Sequence, residues 1–213
     1  MDRHRDREWP AGMRIALGAA ALALAASAHG QTLSGSALVQ RLQRGGCVLV
    51  MRHASSPMTP PDARTADPGN TKLERQLDAR GRADATAMGR ALRALKIPIG
   101  DVWSSPTYRA LETARLMELP YATPAEELGD AGQSMTAVSP AQTAWLKARA
   151  QQVPRDGTNA ILITHMPNIR AAFPQWSDGL GDGETLVLSP DGRGGVTLVA
   201  RVKITDWIKL NGQ

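Results

Sequence analysis

Apolar residues recur along this chain with two different spacings. Cys47-Val48-Leu49-Val50-Met51 and Ala160-Ile161-Leu162-Ile163 are apolar at every position, the pattern of strands covered on both faces. Ala83, Ala87, Ala91 and Leu95 instead recur every four residues, which predicts a helix from an Asp78 cap through Leu95. Ser36 to Arg44 predicts a short amphipathic helix closed by Gly45-Gly46. Asp101-Val102-Trp103-Ser104 reads as a short strand, and Ser105-Pro106 as the serine cap and first-turn proline of a helix carrying Arg109. Ser139-Pro140 repeats that signal for a helix to about Val153, ahead of a strand over Asn159 to Thr164. Glu184 to Ser189 and Val196 to Ile204 flank a Gly-rich turn as an antiparallel hairpin. Strands alternating with helices predict an α/β class: a three-layer α/β/α sandwich with a mostly parallel central sheet and an antiparallel edge hairpin near the C-terminus.

The N-terminal pattern is different. Arg14 precedes an apolar, Ala-rich run through Ala26 and then the small residues Ser27, Ala28 and Gly30. That is the layout of an export signal, and the run is shorter than the roughly 20 apolar residues a membrane span needs. Asp2, Asp6 and Glu8 suit a signal poorly, which favours Met13 as the start. The expectation is a leader over residues 1–30, one domain over 31–213, and a periplasmic or secreted protein without stable membrane insertion. The formal charge of +5 becomes +4 once Arg3, Arg5, Arg7, Arg14, Asp2, Asp6 and Glu8 are removed. Without Lys/Arg clusters or interleaved aromatics this argues against nucleic acid and suits a small anionic substrate. Cys47 is the only cysteine, which excludes an intramolecular disulfide and a multi-cysteine metal site.

Of four histidines, His4 and His29 fall in the leader, so His53 and His165 remain, each at the end of an apolar strand. In an open α/β sheet such strand ends meet at one crevice, which gathers Arg52, His53 and His165; Arg109 joins from the first turn of its helix. Two arginines, two imidazoles and a helix N-terminus describe a pocket for a dianionic tetrahedral group, and phosphate fits it. A neutral His53 can attack phosphorus to give a phosphohistidine that water then opens. His165, if protonated, would stabilise the equatorial oxygens or help orient the nucleophile. Two histidines do not complete a usual catalytic metal set, so no metal and no cofactor is expected. The leaving alkoxide calls for a carboxylic acid: Glu126, Glu127 and Asp130 follow the Arg109 helix and Glu184 opens the hairpin, with Glu184 and Glu127 as first choices. Arg64, Lys72 and Arg75, in or after the Pro-rich stretch from Ala54 to Lys72, read as solvated charges more readily than as substrate contacts.

Leu49-Val50-Met51-Arg52-His53-Ala54, Leu77-Asp78-Ala79-Arg80-Gly81-Arg82, Ser104 to Ala114 and Ile163-Thr164-His165-Met166-Pro167-Asn168 together resemble the histidine phosphatase superfamily, the phosphoglycerate mutase-like proteins. The resemblance spans Gly46 to Ile204. It implies His53 as nucleophile and Arg52, Arg109 and His165 as the phosphate pocket. Ala54 stands where the family commonly has glycine. Met166 stands where the acid-phosphatase branch has its proton-donating aspartate, and Glu126-Glu127-Leu128-Gly129 only loosely echoes the mutase-like glutamate motif. The implied activity is hydrolysis of a phosphomonoester by an exported enzyme. The alternatives are a phosphohistidine or phosphoprotein phosphatase, and a phosphate-binding module without turnover.

Overall fold

The computed structural model describes residues 32–57, 75–130 and 138–210, so the predicted leader and residues 58–72 of the Pro-rich stretch lie outside the described residues. The continuous apolar runs lie at the centre of one six-stranded sheet because helices cover both of its faces. There β1 (Val48–Arg52) pairs in parallel with β4 (Asn159–Thr164). Leu49 and Met51 of β1 and Ile161 and Ile163 of β4 enter one core with α1 (Gly35–Gln43), α2 (Ala79–Ala94), α3 (Tyr108–Leu116) and α6 (Trp207–Leu210). Val48, Val50 and Leu162 point the other way, into a core shared with α4 (Pro140–Ala150) and α5 (Met166–Ala172). Alternate side chains thus feed two cores, and no polar face is left for the pattern to record.

With β2 (Ile99–Ser104), β3 (Ala122–Pro124), β5 (Thr185–Pro190) and β6 (Val196–Val202), the strand order is β3-β2-β4-β1-β5-β6. The first four strands run parallel, and β5 and β6 form the antiparallel hairpin at one edge. The expected three-layer, mostly parallel α/β/α arrangement with its edge hairpin is therefore the fold observed. Among the described residues no helix is long and apolar enough to cross a membrane.

Local differences have local causes. The N-cap of the helix carrying Arg109 is the extended Thr107, without a side-chain cap bond, and the Ser105 hydroxyl accepts from Thr107 N at 3.2 Å while also meeting His165 Nε2. Ser139 does cap α4, in a reciprocal pair with Gln142, but the helix ends at Ala150, ahead of Val153. The three-residue β3 and the short α5 carry too few residues for a periodic signal.

α2 is seated on the residues that follow β1. Asp78 caps it by accepting from Gly81 N at 2.6 Å, and Ser55 donates its hydroxyl to the same carboxylate at 2.7 Å. A side chain at position 81 would drive into the Ser55 carbonyl, so glycine is what lets the helix end lie this close to His53.

Candidate active site

The sheet register builds the centre of the site. Arg52 lies opposite Thr164, so the next residues, His53 and His165, leave adjacent strands side by side. His53 N donates to Thr164 O at 3.0 Å, and the two ring centroids are 5.1 Å apart at 65°. β2 adds the third member in the same way: Ser104 lies opposite Ile163, and Ser105 N donates to Ile163 O at 2.8 Å. α3 then leaves that edge with Arg109 on its buried face.

The hydrogen bonds define the state of each imidazole. His53 Nδ1 is 2.7 Å from the Ala54 carbonyl, which can only accept, so Nδ1 carries the hydrogen. Nε2 is then the bare nitrogen, and Arg109 Nε donates to it at 3.2 Å. Arg109 also donates from one terminal nitrogen to His165 Nδ1 at 3.1 Å, which leaves His165 its hydrogen on Nε2, 2.8 Å from Ser105 Oγ. Burial, then His165 and the Arg109 charge, hold His53 well below the ordinary imidazole value; burial, then Arg109, Arg75 and Arg52, do the same to His165. Both shifts favour the neutral ring. The shift disfavours the protonated ring that the equatorial-oxygen role for His165 calls for, while its bond to Arg109, which also holds His53, fits the role of orienting the nucleophile.

Neutral burial has a consequence for stability. In the unfolded chain these imidazoles titrate near 6.5, whereas in the fold their proton affinity is depressed. Well above 6.5 neither state binds the protons and the stabilisation is complete; as pH falls below it, the unfolded chain takes up protons that the native site excludes. The melting temperature should therefore fall between pH 7 and pH 5, less steeply in His53→Gln, as read by thermal unfolding.

Arg109 has a carboxylate partner, Asp130, by an ion pair in which both side chains are about 95% buried, the exposures being 6% and 5%. The same Asp130 oxygen lies 3.7 Å from His165 Nδ1. Asp130 arrives there because the 3-10 turn Glu126–Leu128 is pinned from the other side of the crevice. Thr164 Oγ1 donates to Leu128 O at 2.7 Å, and Asn168, one turn after His165, donates to Gly129 O at 2.9 Å.

The two first-choice acids lie elsewhere. Glu184 is buried, but its carboxylate accepts from Arg201 Nε at 2.9 Å and from Gly181 N at 2.8 Å. Glu127, with Glu126, lines a separate cavity of about 430 Å³ beside Trp103, Trp145 and Arg149. Of the four carboxylates considered, Asp130 is the one in contact with Arg109 and His165.

Two more arginines bear on the site. Arg52 donates to Leu180 O at 3.3 Å and pairs with Asp182 at 2.6 Å. Arg75 is 7% exposed, held by the carbonyls of Pro57 at 2.9 Å and Ser56 at 3.0 Å, and lies within electrostatic reach of Arg109, Asp130, Asp182, Arg52 and His165. Sequence reasoning set Arg75 aside as a solvated charge; it is a buried one. Arg64 and Lys72 lie outside the described residues. Glu112, the helix-surface partner a lone Arg109 would have, is occupied by Arg82 and Arg115. Among the described residues no group of three or more His, Cys, Asp or Glu side chains is arranged to hold a metal.

Residues 48–132 match the model of the histidine phosphatase superfamily (branch 1). A comparison with curated proteins returns no match. Among solved structures the chain is similar to the protein histidine phosphatase SixA complexed with tungstate, at 19% identity over 75% of this chain and 98% of that one, with a TM-score of 0.56. It is also similar to a phosphoglycerate mutase from Bacillus anthracis str. Sterne, at 15% identity over 81% and 100% of the two chains, TM-score 0.54. A phosphoserine phosphatase from Entamoeba histolytica, in complex with 3-phosphoglyceric acid, aligns at 14% identity over 76% and 98%, TM-score 0.53. These likenesses establish a shared fold, while the matched segment holds Arg52, His53, Arg75, Arg109 and Asp130. The chain thus carries, over residues 48–132, a segment that matches the histidine phosphatase superfamily, within the fold these structures share.

Proposed function

We propose that the protein is a phosphomonoesterase that works through a phosphohistidine on His53 and needs no metal or organic cofactor. The observation behind this reading is the state of His53: a buried, neutral ring whose Nδ1 hydrogen is fixed by the Ala54 carbonyl, leaving an Nε2 lone pair beside Arg109. A phosphate ester seated among Arg52, Arg75 and Arg109 has its oxygens held by guanidinium forks, which suit the charge spread over the transferring group. Its arrival takes over the Arg109 hydrogens that bind His53 and Asp130.

The ester enters as its monoanion and passes its proton to Asp130 as it takes over Arg109; in the first step the His53 Nε2–phosphorus bond forms, the ester P–O bond breaks, and Asp130 hands that proton to the departing alkoxide. In the second, water forms the new O–P bond, the N–P bond breaks, phosphate is released, and the water proton returns to Asp130. We assign Asp130 this role in place of Glu184 and Glu127 because of its position against Arg109 and His165. His165 and Ser105 hold the far side of the pocket. The apolar leader and its small-residue boundary support an exported enzyme, and immunodetection in a periplasmic or culture fraction of the producing cell tests that.

Purified protein should release phosphate from an ester panel in the presence of EDTA; no release, with no acid-labile phosphoenzyme, would leave a phosphate-binding module. Asp130→Asn should lower the rate on an alkyl phosphate by about 10²-fold, within the range for a general acid, and far less on a phosphoramidate. Steady-state rates on the two substrates side by side check this. A parent enzyme fast only on the phosphoramidate would instead favour a phosphohistidine phosphatase.

A further inference from the structure

We infer that a polar cavity beside Arg52 is a subsite for the leaving group, and that it selects phosphomonoesters of polyhydroxylated alcohols, with Asp182 as a specificity-determining residue. The inference rests on the phosphomonoesterase reading above. The cavity measures about 320 Å³ and is lined by Ser55, two residues beyond His53, and by Asp182, Arg80, Asp84, Lys203 and Thr205. It therefore adjoins the same strand end as the nucleophile.

Asp182 stands between the two spaces. Its Oδ1 is 2.6 Å from Arg52, while its Oδ2 has no partner among the described residues, and the side chain is 37% exposed. The loop that presents it is fixed at several points. Gly183 N donates to His53 O at 2.9 Å, Arg52 N to Glu184 O at 3.1 Å, and Arg201 joins Glu184 to the Asp178 carbonyl at 2.8 Å. One oxygen of a rigidly held carboxylate thus anchors a phosphate-binding arginine, and the same residue lines a cavity large enough for a small organic body.

The remaining wall alternates sign. Lys203 is exposed and has no ion pair among the described residues, and Arg80 meets Asp84 at 3.4 Å and acts by its charge on Asp78. Hydroxyl groups donate and accept, so a polyol satisfies carboxylates and ammonium groups together. An aryl leaving group would cover these charged groups without replacing their water, which selects against it. By contrast, the cavity along the outer face of α3, between Leu111, Leu119 and Tyr121, is mainly apolar and lined by α3 residues other than the inward-facing Arg109.

The test separates binding from turnover. On the His53→Ala protein, a sugar phosphomonoester should bind about tenfold or more tighter than phenyl phosphate, by calorimetric titration, which is the order expected for one or two added hydrogen bonds. In Asp182→Ala and in Thr205→Trp, which fills the cavity, that ratio should collapse toward one. A ratio near one in the starting protein, or a ratio that survives both substitutions, overturns the subsite. Failure of the parent protein to hydrolyse any ester would overturn the catalytic reading instead, since the binding ratio is measured without turnover.

Discussion

Replacing His53 by alanine should reduce phosphate release by roughly 10⁴-fold or more, the scale seen when a covalent nucleophile is removed, and should abolish the phosphoenzyme. The size follows from geometry: both rings offer Arg109 an unprotonated nitrogen, but that of His165 lies 3.7 Å from the Asp130 carboxylate, which repels an anionic phosphoryl group, so His53 has no substitute. Rapid-quench labelling with a ³²P ester, analysed under alkaline and acid conditions, reads the intermediate directly. Phosphate affinity should survive in the variant, since Arg52, Arg75 and Arg109 remain. A His53→Ala protein as active as the parent would remove His53 from its role.

Arg109→Ala should be the most damaging single change to the fold as well as to the reaction. Arg109 is the common partner of His53, His165 and Asp130, and the Asp130 it leaves behind is 5% exposed. Breaking a buried pair from one side costs about 3–5 kcal/mol, because the surviving charge has neither water nor partner. For a chain of this size that corresponds to a melting temperature lower by roughly 6–20 °C. Arg109→Ala/Asp130→Ala should recover much of the loss in stability and none in turnover, which thermal unfolding and steady-state kinetics can resolve. A single variant that melts with the parent would mean that Asp130 finds another cation, for which Arg75 is the neighbour.

Much of this site was legible in sequence because it hangs on strand ends. Arg52, His53 and His165 terminate runs apolar at every position, and parallel pairing brings such termini together whatever lies between them. Arg109 was legible through its place in the first turn of the following helix. What could not be read depends on contacts between distant segments. Asp130 was one of four candidate carboxylates, and what selects it is Asn168 and Thr164 holding the Leu128–Gly129 backbone from across the crevice. Glu184, conspicuous at the mouth of a strand, is neutralised by Arg201 from the neighbouring strand of its own hairpin. Ser105 had the residue type and the following proline of a cap, yet its hydroxyl meets an imidazole sixty residues away. Arg75 looked solvated because it follows a Pro-rich stretch, and only its backbone-carbonyl partners show it turned inward.

The two halves of the reaction rest on parts of the sheet with different resistance to local opening. His53 and His165 extend the paired centre, β1 and β4, whose amides should be among the last to exchange with solvent. Asp130 follows a three-residue turn beyond the edge strand β3, attached to the centre through a few side-chain bonds. On warming, that edge should loosen while the imidazole pair keeps its register. An enzyme working as proposed would then lose esters of slow-leaving alcohols at a lower temperature than those of fast-leaving ones, its selectivity narrowing before its activity is gone.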